Sequence, residues 1–218
     1  MNKKILFGSP IHSYHIDKQS YDKEKVINHI LENYEIDKER NVWDNDSNIH
    51  HSYGDWNNNK FNHSVEIYDE ILTPLYSKII KNFFDEKIKL VKEIKYKFDI
   101  ANYTCVGNSQ YMKSHRHLPD FGFSCVHYLQ FDPNQHTGIR LFNTNDYGPF
   151  VKHLLPSFYD KINNKEEDNS YMFEHYDYLP VEDEMIIFSG LLPHAIPRQT
   201  NTTKPRISIV TNIRIEND

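Results

Sequence analysis

The chain has little cysteine and glycine, no long apolar run and no block of basic residues, and these shortages remove whole classes of protein. Two cysteines in 218 residues cannot build a disulfide scaffold. Cys105 and Cys125 both fall in segments that read as buried strand, which suits a reducing cytoplasm, the host's if the gene is carried by a phage. No apolar stretch approaches the roughly 20 residues that a membrane helix needs. Met1-Asn2-Lys3-Lys4 has the charge of a signal peptide, but the apolar run behind it stops at Gly8-Ser9-Pro10. Lys plus Arg number 25 against 31 Asp plus Glu, a formal charge of -6. Without a basic cluster, nucleic acid is not expected as a partner. No repeat or low-complexity linker divides the chain, so one domain over 1–218 is expected, with 1–90 as helical and loop support and 91–218 as the core.

What is present is patterned, and the period changes once. Val26, Ile27, Ile30 and Leu31 recur at helical spacing between Tyr21 and Tyr34, and Ile67 to Phe83 carries a second stripe that Pro74 should kink or restart. Between them, Asn41 to Asn62 reads as a polar loop pinned by Trp43, Tyr53 and Trp56. From Ile94 the pattern alternates instead. Ile94 to Ile100, Ser124 to Phe131, Ile139 to Phe142, Met185 to Phe188 and Arg206 to Ile215 all read as strands, with Ile5 to Ile16 as an edge strand or arm. The turn at Asp132-Pro133-Asn134 is expected to pair Ile139–Phe142 with the strand before it. Residues 143–183 form a long excursion with a helical patch at 152–159. Helices first and strands later predict a mainly β protein with supporting N-terminal helices, a double-stranded β-helix or jelly roll.

Thirteen histidines make a chance His-x-His expected, so His115 and His117 carry weight only through context. In an extended segment the two rings share a face. His194 follows with 76 residues between it and His117, after a buried strand, where a turn can aim its ring into the barrel mouth. Such a set suits non-haem iron(II), whose usual triad is two His and one carboxylate. Two local rivals, His15-Ile16-Asp17 and His175-Tyr176-Asp177, match that triad more literally, but the first precedes the strand region and the second leaves room for only one strand before His194. Asp120 stays open as a carboxylate ligand in place of His115 if the backbone turns at Leu118-Pro119.

Arg206 and Ser208 share a face twelve and fourteen residues after His194. A guanidinium offers a carboxylate two parallel hydrogen bonds and the hydroxyl adds another donor, which suits the distal carboxylate of 2-oxoglutarate. Tyr103 and Tyr111 are candidate phenol donors to the same group. Asn102, Arg140, Asn143 and Asn212 are weaker candidates for the pocket wall.

With these residues in place, the chain resembles the 2-oxoglutarate and iron(II)-dependent oxygenase superfamily, in particular a branch frequent in phage and bacterial genomes. The resemblance is carried by His115-Arg116-His117, by Ser124-Cys125-Val126-His127-Tyr128-Leu129, by Ile186-Ile187-Phe188-Ser189 leading to Pro193-His194, and by Pro205 to Ile213. It covers roughly the C-terminal half. It implies a double-stranded β-helix core, Fe(II) held by His115, His117 and His194, 2-oxoglutarate held by Arg206 and Ser208, and oxidation of a small-molecule or peptide substrate. A homodimer is compatible with it. Where His117 stands, most members carry Asp, so a third imidazole lowers the site's negative charge. Two other readings are weighed beside this one: a three-His metal dioxygenase that needs no 2-oxoglutarate, and a non-enzymatic jelly-roll binding or phage structural module whose histidines are core residues.

Overall fold

Alternation on both sides of the sheet accounts for the architecture. The computed structural model describes residues 8–39, 47–53, 60–61, 64, 67–88, 90, 93–117, 121–163 and 166–216. Most of the loop expected around Trp43 and Trp56 lies outside the described residues, and so does Asp120. The described strands are β1 (His12–His15), β2 (His50–His51), β3 (Lys95–Val106), β4 (Met112–His115), β5 (Phe121–Gln130), β6 (Ile139–Phe142), β7 (His175–Tyr178), β8 (Glu184–Ser189), β9 (His194–Ile196) and β10 (Arg206–Glu216). They form a six-stranded sheet in the order β1-β8-β5-β10-β3-β2 and a four-stranded sheet in the order β4-β9-β6-β7. All the pairings are antiparallel.

The larger sheet is buried on both faces, which explains its near-continuous apolar strands. Cys105, Cys125, Leu129, Met185, Ile187, Ile207, Ile209 and Ile213 point outward and are covered by helices. The helices are α1 (Lys23–Ile36) and α2 (Thr73–Asn82), the latter with π-helical turns on either side. Asp22 caps α1 by accepting from the Lys25 N–H at 3.0 Å. Pro74 sits where the π-helical turn Tyr68–Leu72 passes into α2, and the helical backbone runs on through it, so the proline coincides with a change of helix type and does not end the helix. The opposite face supplies Val126, Tyr128, Ile186 and Phe188 to a second core shared with Ile139, Leu141 and Leu192. Two sheets with a core between them are the jelly roll that the pattern predicts. Among the described residues no helix is long and apolar enough to cross a membrane.

Two expectations are corrected here. β6 pairs with β7 and β9 and not with β5, because the chain crosses between sheets after the Asp132 turn. Ile139 and Leu141 therefore meet Val126 and Tyr128 across the core. The helical patch at 152–159 is two short helices, α3 (Tyr147–Leu154) and α4 (Pro156–Tyr159), broken at Leu155 because a residue before proline is pushed out of the helical region.

Candidate metal centre

His115, His117 and His194 each bring a ring nitrogen within 4.8 Å of the others. Ring centroids lie 4.3 Å apart for His115–His194, 5.1 Å for His117–His194 and 5.7 Å for His115–His117. Strand pairing produces the first contact, since His115 stands opposite His194. His117 lies past the end of β4, so the dyad is not on one regular strand as expected. Its backbone N–H bonds to the Gly190 carbonyl at 3.0 Å and brings it into the same cluster.

The tautomers follow from the neighbours. His115 Nδ1 faces the Lys113 carbonyl at 3.1 Å, His194 Nδ1 the Leu192 carbonyl at 2.8 Å and His117 Nδ1 the Asn212 Oδ1 at 2.6 Å. Each acceptor calls for a proton on Nδ1, which leaves Nε2 as the lone-pair nitrogen of each ring. Burial pushes the His194 pKa well below the usual imidazole value, with the neighbouring rings adding to it. Burial lowers His117 as well, opposed by its bond to Asn212. Neutral imidazoles with ring nitrogens clustered this closely are the form that binds iron(II) or another divalent metal of this class. The donor set fits.

Beside the histidines, the inner face of β10 carries Arg206, Ser208, Val210 and Asn212. Arg206 is 1 % exposed, no carboxylate among the described residues pairs with it, and its Nε and Nη1 have no hydrogen-bond partner. Its guanidinium lies 5.0 Å from the centre of the Tyr128 ring, and burial pulls its pKa down while Tyr128 opposes the shift. An isolated buried cation is costly, so this one calls for an anion. Ser208 shares a 2.8 Å hydrogen bond with Thr104.

The tyrosine at this clamp is Tyr128, which stands opposite Ser208 in the sheet. Its hydroxyl is buried beside Arg206, and burial, outweighing the opposing effect of that guanidinium, pushes its pKa up to about 12, so it stays a phenol donor. In the sequence Tyr128 stands out only within the strand motif Ser124 to Leu129, with no role of its own. Parity along β5 puts it on the face of Ser124 and Val126, but its place beside Ser208 depends on a register between distant strands.

Tyr103 is corrected. It alternates against Asn102 and Thr104, packs in the outer core, and meets His50 Nε2 through its hydroxyl at 3.0 Å. Tyr111 packs under the Arg198 guanidinium, 4.5 Å from its ring centre, and bridges Asn48 through its backbone. Arg140 points away from the core and holds Asp177 with two bonds of 2.7 and 2.8 Å. That pairing takes up the carboxylate of the His175-Tyr176-Asp177 rival. Asp17 of the other rival accepts from the Gln19 N–H in a surface turn. Asn143 clamps the Tyr171 and Phe173 carbonyls. Asn102 does face inward, with a buried, unpartnered Oδ1, and so does Ser124 with its Oγ.

No family model matches the sequence, and no curated protein matches it by sequence. Solved structures match it by shape. The non-haem α-ketoglutarate-dependent epimerase SnoN from nogalamycin biosynthesis aligns with a TM-score of 0.56 at 8% identity, covering 94% of this chain and 76% of that one. A Pseudomonas putida prolyl-4-hydroxylase aligns with a TM-score of 0.52 at 12% identity over 95% and 93%. A Trichoplax adhaerens prolyl hydroxylase, solved with a hypoxia inducible factor peptide fragment, gives 0.52 at 14% identity over 95% and 83%. Sheet order, two-sided core and these likenesses together show that the chain has the double-stranded β-helix fold found in such oxygenases.

Proposed function

We propose that the chain is an Fe(II)- and 2-oxoglutarate-dependent oxygenase that hydroxylates a small-molecule or peptide substrate. The observation that carries this reading is Arg206, buried with no carboxylate partner among the described residues and on the same strand face as the residue that orients His117. In this reading His115, His117 and His194 hold the metal through Nε2, while Arg206, Tyr128 and Ser208 hold the far carboxylate of 2-oxoglutarate. Iron(II) and 2-oxoglutarate, when bound, would supply the O₂ activation, with succinate and CO₂ as co-products. The protein's own part is orientation and exclusion of water: fixed imidazole tautomers, a guanidinium preset for a carboxylate, and apolar walls from Val126, Ile186 and Phe188. Substrate selection is assigned to the excursion between β6 and β7. Its base is tied beside His194 by the Phe142 N–H to the Pro193 carbonyl and the Asn143 N–H to the Glu174 carbonyl. It exposes Phe150, Leu154, Leu155 and Phe158. Residues 91–218 are proposed as the catalytic core, 1–90 as its support, and the free buried thiols of Cys105 and Cys125 favour a cytoplasmic location.

Thermal denaturation tests this without the substrate. Mn(II), a redox-stable stand-in for Fe(II), should raise the midpoint, and 2-oxoglutarate should raise it further only when metal is present. His194→Ala should abolish both shifts, and Arg206→Ala only the second. Three neutral ligands also suit a dioxygenase that needs no 2-oxoglutarate. In that case Arg206→Ala would leave every ligand response unchanged.

A further inference from the structure

His115 and His194 are each oriented by a carbonyl two residues earlier in their own segment, Lys113 and Leu192. His117 is not. It lies beyond the end of β4, and its Nδ1 reaches across from the smaller sheet to the larger one, to Asn212 Oδ1 at 2.6 Å. Asn212 is 6 % exposed and lies on the inner face of β10, six residues along from Arg206, beside Ser124 in the sheet. We propose that Asn212 is a positioning residue that fixes the His117 tautomer and thereby makes His117 a metal ligand; this rests on the metal-site reading above.

The amide makes the arrangement conditional. With Oδ1 toward the ring, His117 carries its proton on Nδ1 and ligates through Nε2. With the amide turned over, Nδ2–H donates to Nδ1, the proton moves to Nε2, and the ring cannot ligate through that atom. A carboxylate at 212 accepts only, so it preserves the ligating form. A leucine of similar volume does neither. One strand thus carries both Arg206 and the group that orients a metal ligand, so the two halves of the site are held in one register.

Calorimetric Mn(II) titration of the purified protein, with ¹⁵N-imidazole NMR of the metal-free form, tests this. Loss of an outer partner of a metal-binding histidine typically weakens metal binding by roughly 10- to 100-fold. Asn212→Leu should fall in that range and approach His117→Ala, while Asn212→Asp should stay within about threefold of wild type, since it keeps the acceptor. NMR of the wild type should show His117 protonated on Nδ1. This reports on the tautomer even if the leucine variant folds poorly. An Nε2-protonated His117, or an Asn212→Leu protein that binds Mn(II) as wild type does, overturns the inference alone. A wild type that takes up no Mn(II) overturns the metal-site reading with it.

Discussion

Arg206 is the residue whose chemistry most needs explaining, because a buried guanidinium with two unpartnered nitrogens is held at a cost to the empty fold. Function and stability should therefore separate there. Arg206→Met should raise the stability of the ligand-free protein by about 1–4 kcal/mol in urea unfolding, since an apolar side chain of similar length replaces a buried charge that no carboxylate among the described residues pairs with. The same change should weaken 2-oxoglutarate binding by at least about 2 kcal/mol, roughly thirtyfold or more. A destabilised apo variant would show that the guanidinium has partners within the fold. At this scale the site was partly legible. Alternation along Arg206-Ile207-Ser208 placed two side chains on one face, and spacing singled out His194 over its rivals. Tyr103 lies near His115 in sequence, but its parity sends it outward. Tyr128 and the Asn212–His117 pair depend on contacts between strands far apart in the chain, and no local pattern reports those.

Between elements, two contacts fix how the layers sit. Tyr76 on α2 meets His127 Nδ1 on β5 at 2.8 Å, joining the helices to the outer face of the larger sheet. Burial lowers the His127 pKa to about 3. Because the folded value lies below the unfolded one of about 6.5, the neutral ring contributes its full stability above pH 6.5, and that contribution is lost as pH falls toward 3. Between pH 6.5 and 5, before carboxylates titrate strongly, wild type should lose stability faster than His127→Gln. The difference should approach the limit of about 1.4 kcal/mol per pH unit for one proton. Parallel slopes in urea unfolding across that window would show that His127 is not buried neutral. The second contact is Gly138, where a Cβ would overlap the Tyr178 carbonyl at the start of the β6–β7 pairing. Gly138→Ala should cost about 1–3 kcal/mol, read as a lower urea midpoint, whereas alanine at exposed Gly8 should change little. Element types were readable from period alone, because apolar residues recur every 3.6 or every 2 positions. The partner of β6 was not, since a tight turn after a strand predicts a hairpin and carries no sign that the chain switches sheets.

For the whole molecule, the central strand β10 brings the parts together. Its outer residues anchor the helix-facing core, and its inner residues carry the clamp and the acceptor for His117. The fold class was legible because the change from helical to alternating period is global. The claim that this architecture serves iron and 2-oxoglutarate is tested most directly by anaerobic titration of the full chain with Fe(II) and then 2-oxoglutarate, followed in the visible spectrum. The account predicts one Fe(II) per chain and a weak charge-transfer band that grows with 2-oxoglutarate to a one-to-one endpoint and is lost in His194→Ala. Fe(II) uptake followed by neither a band nor measurable 2-oxoglutarate binding would contradict it.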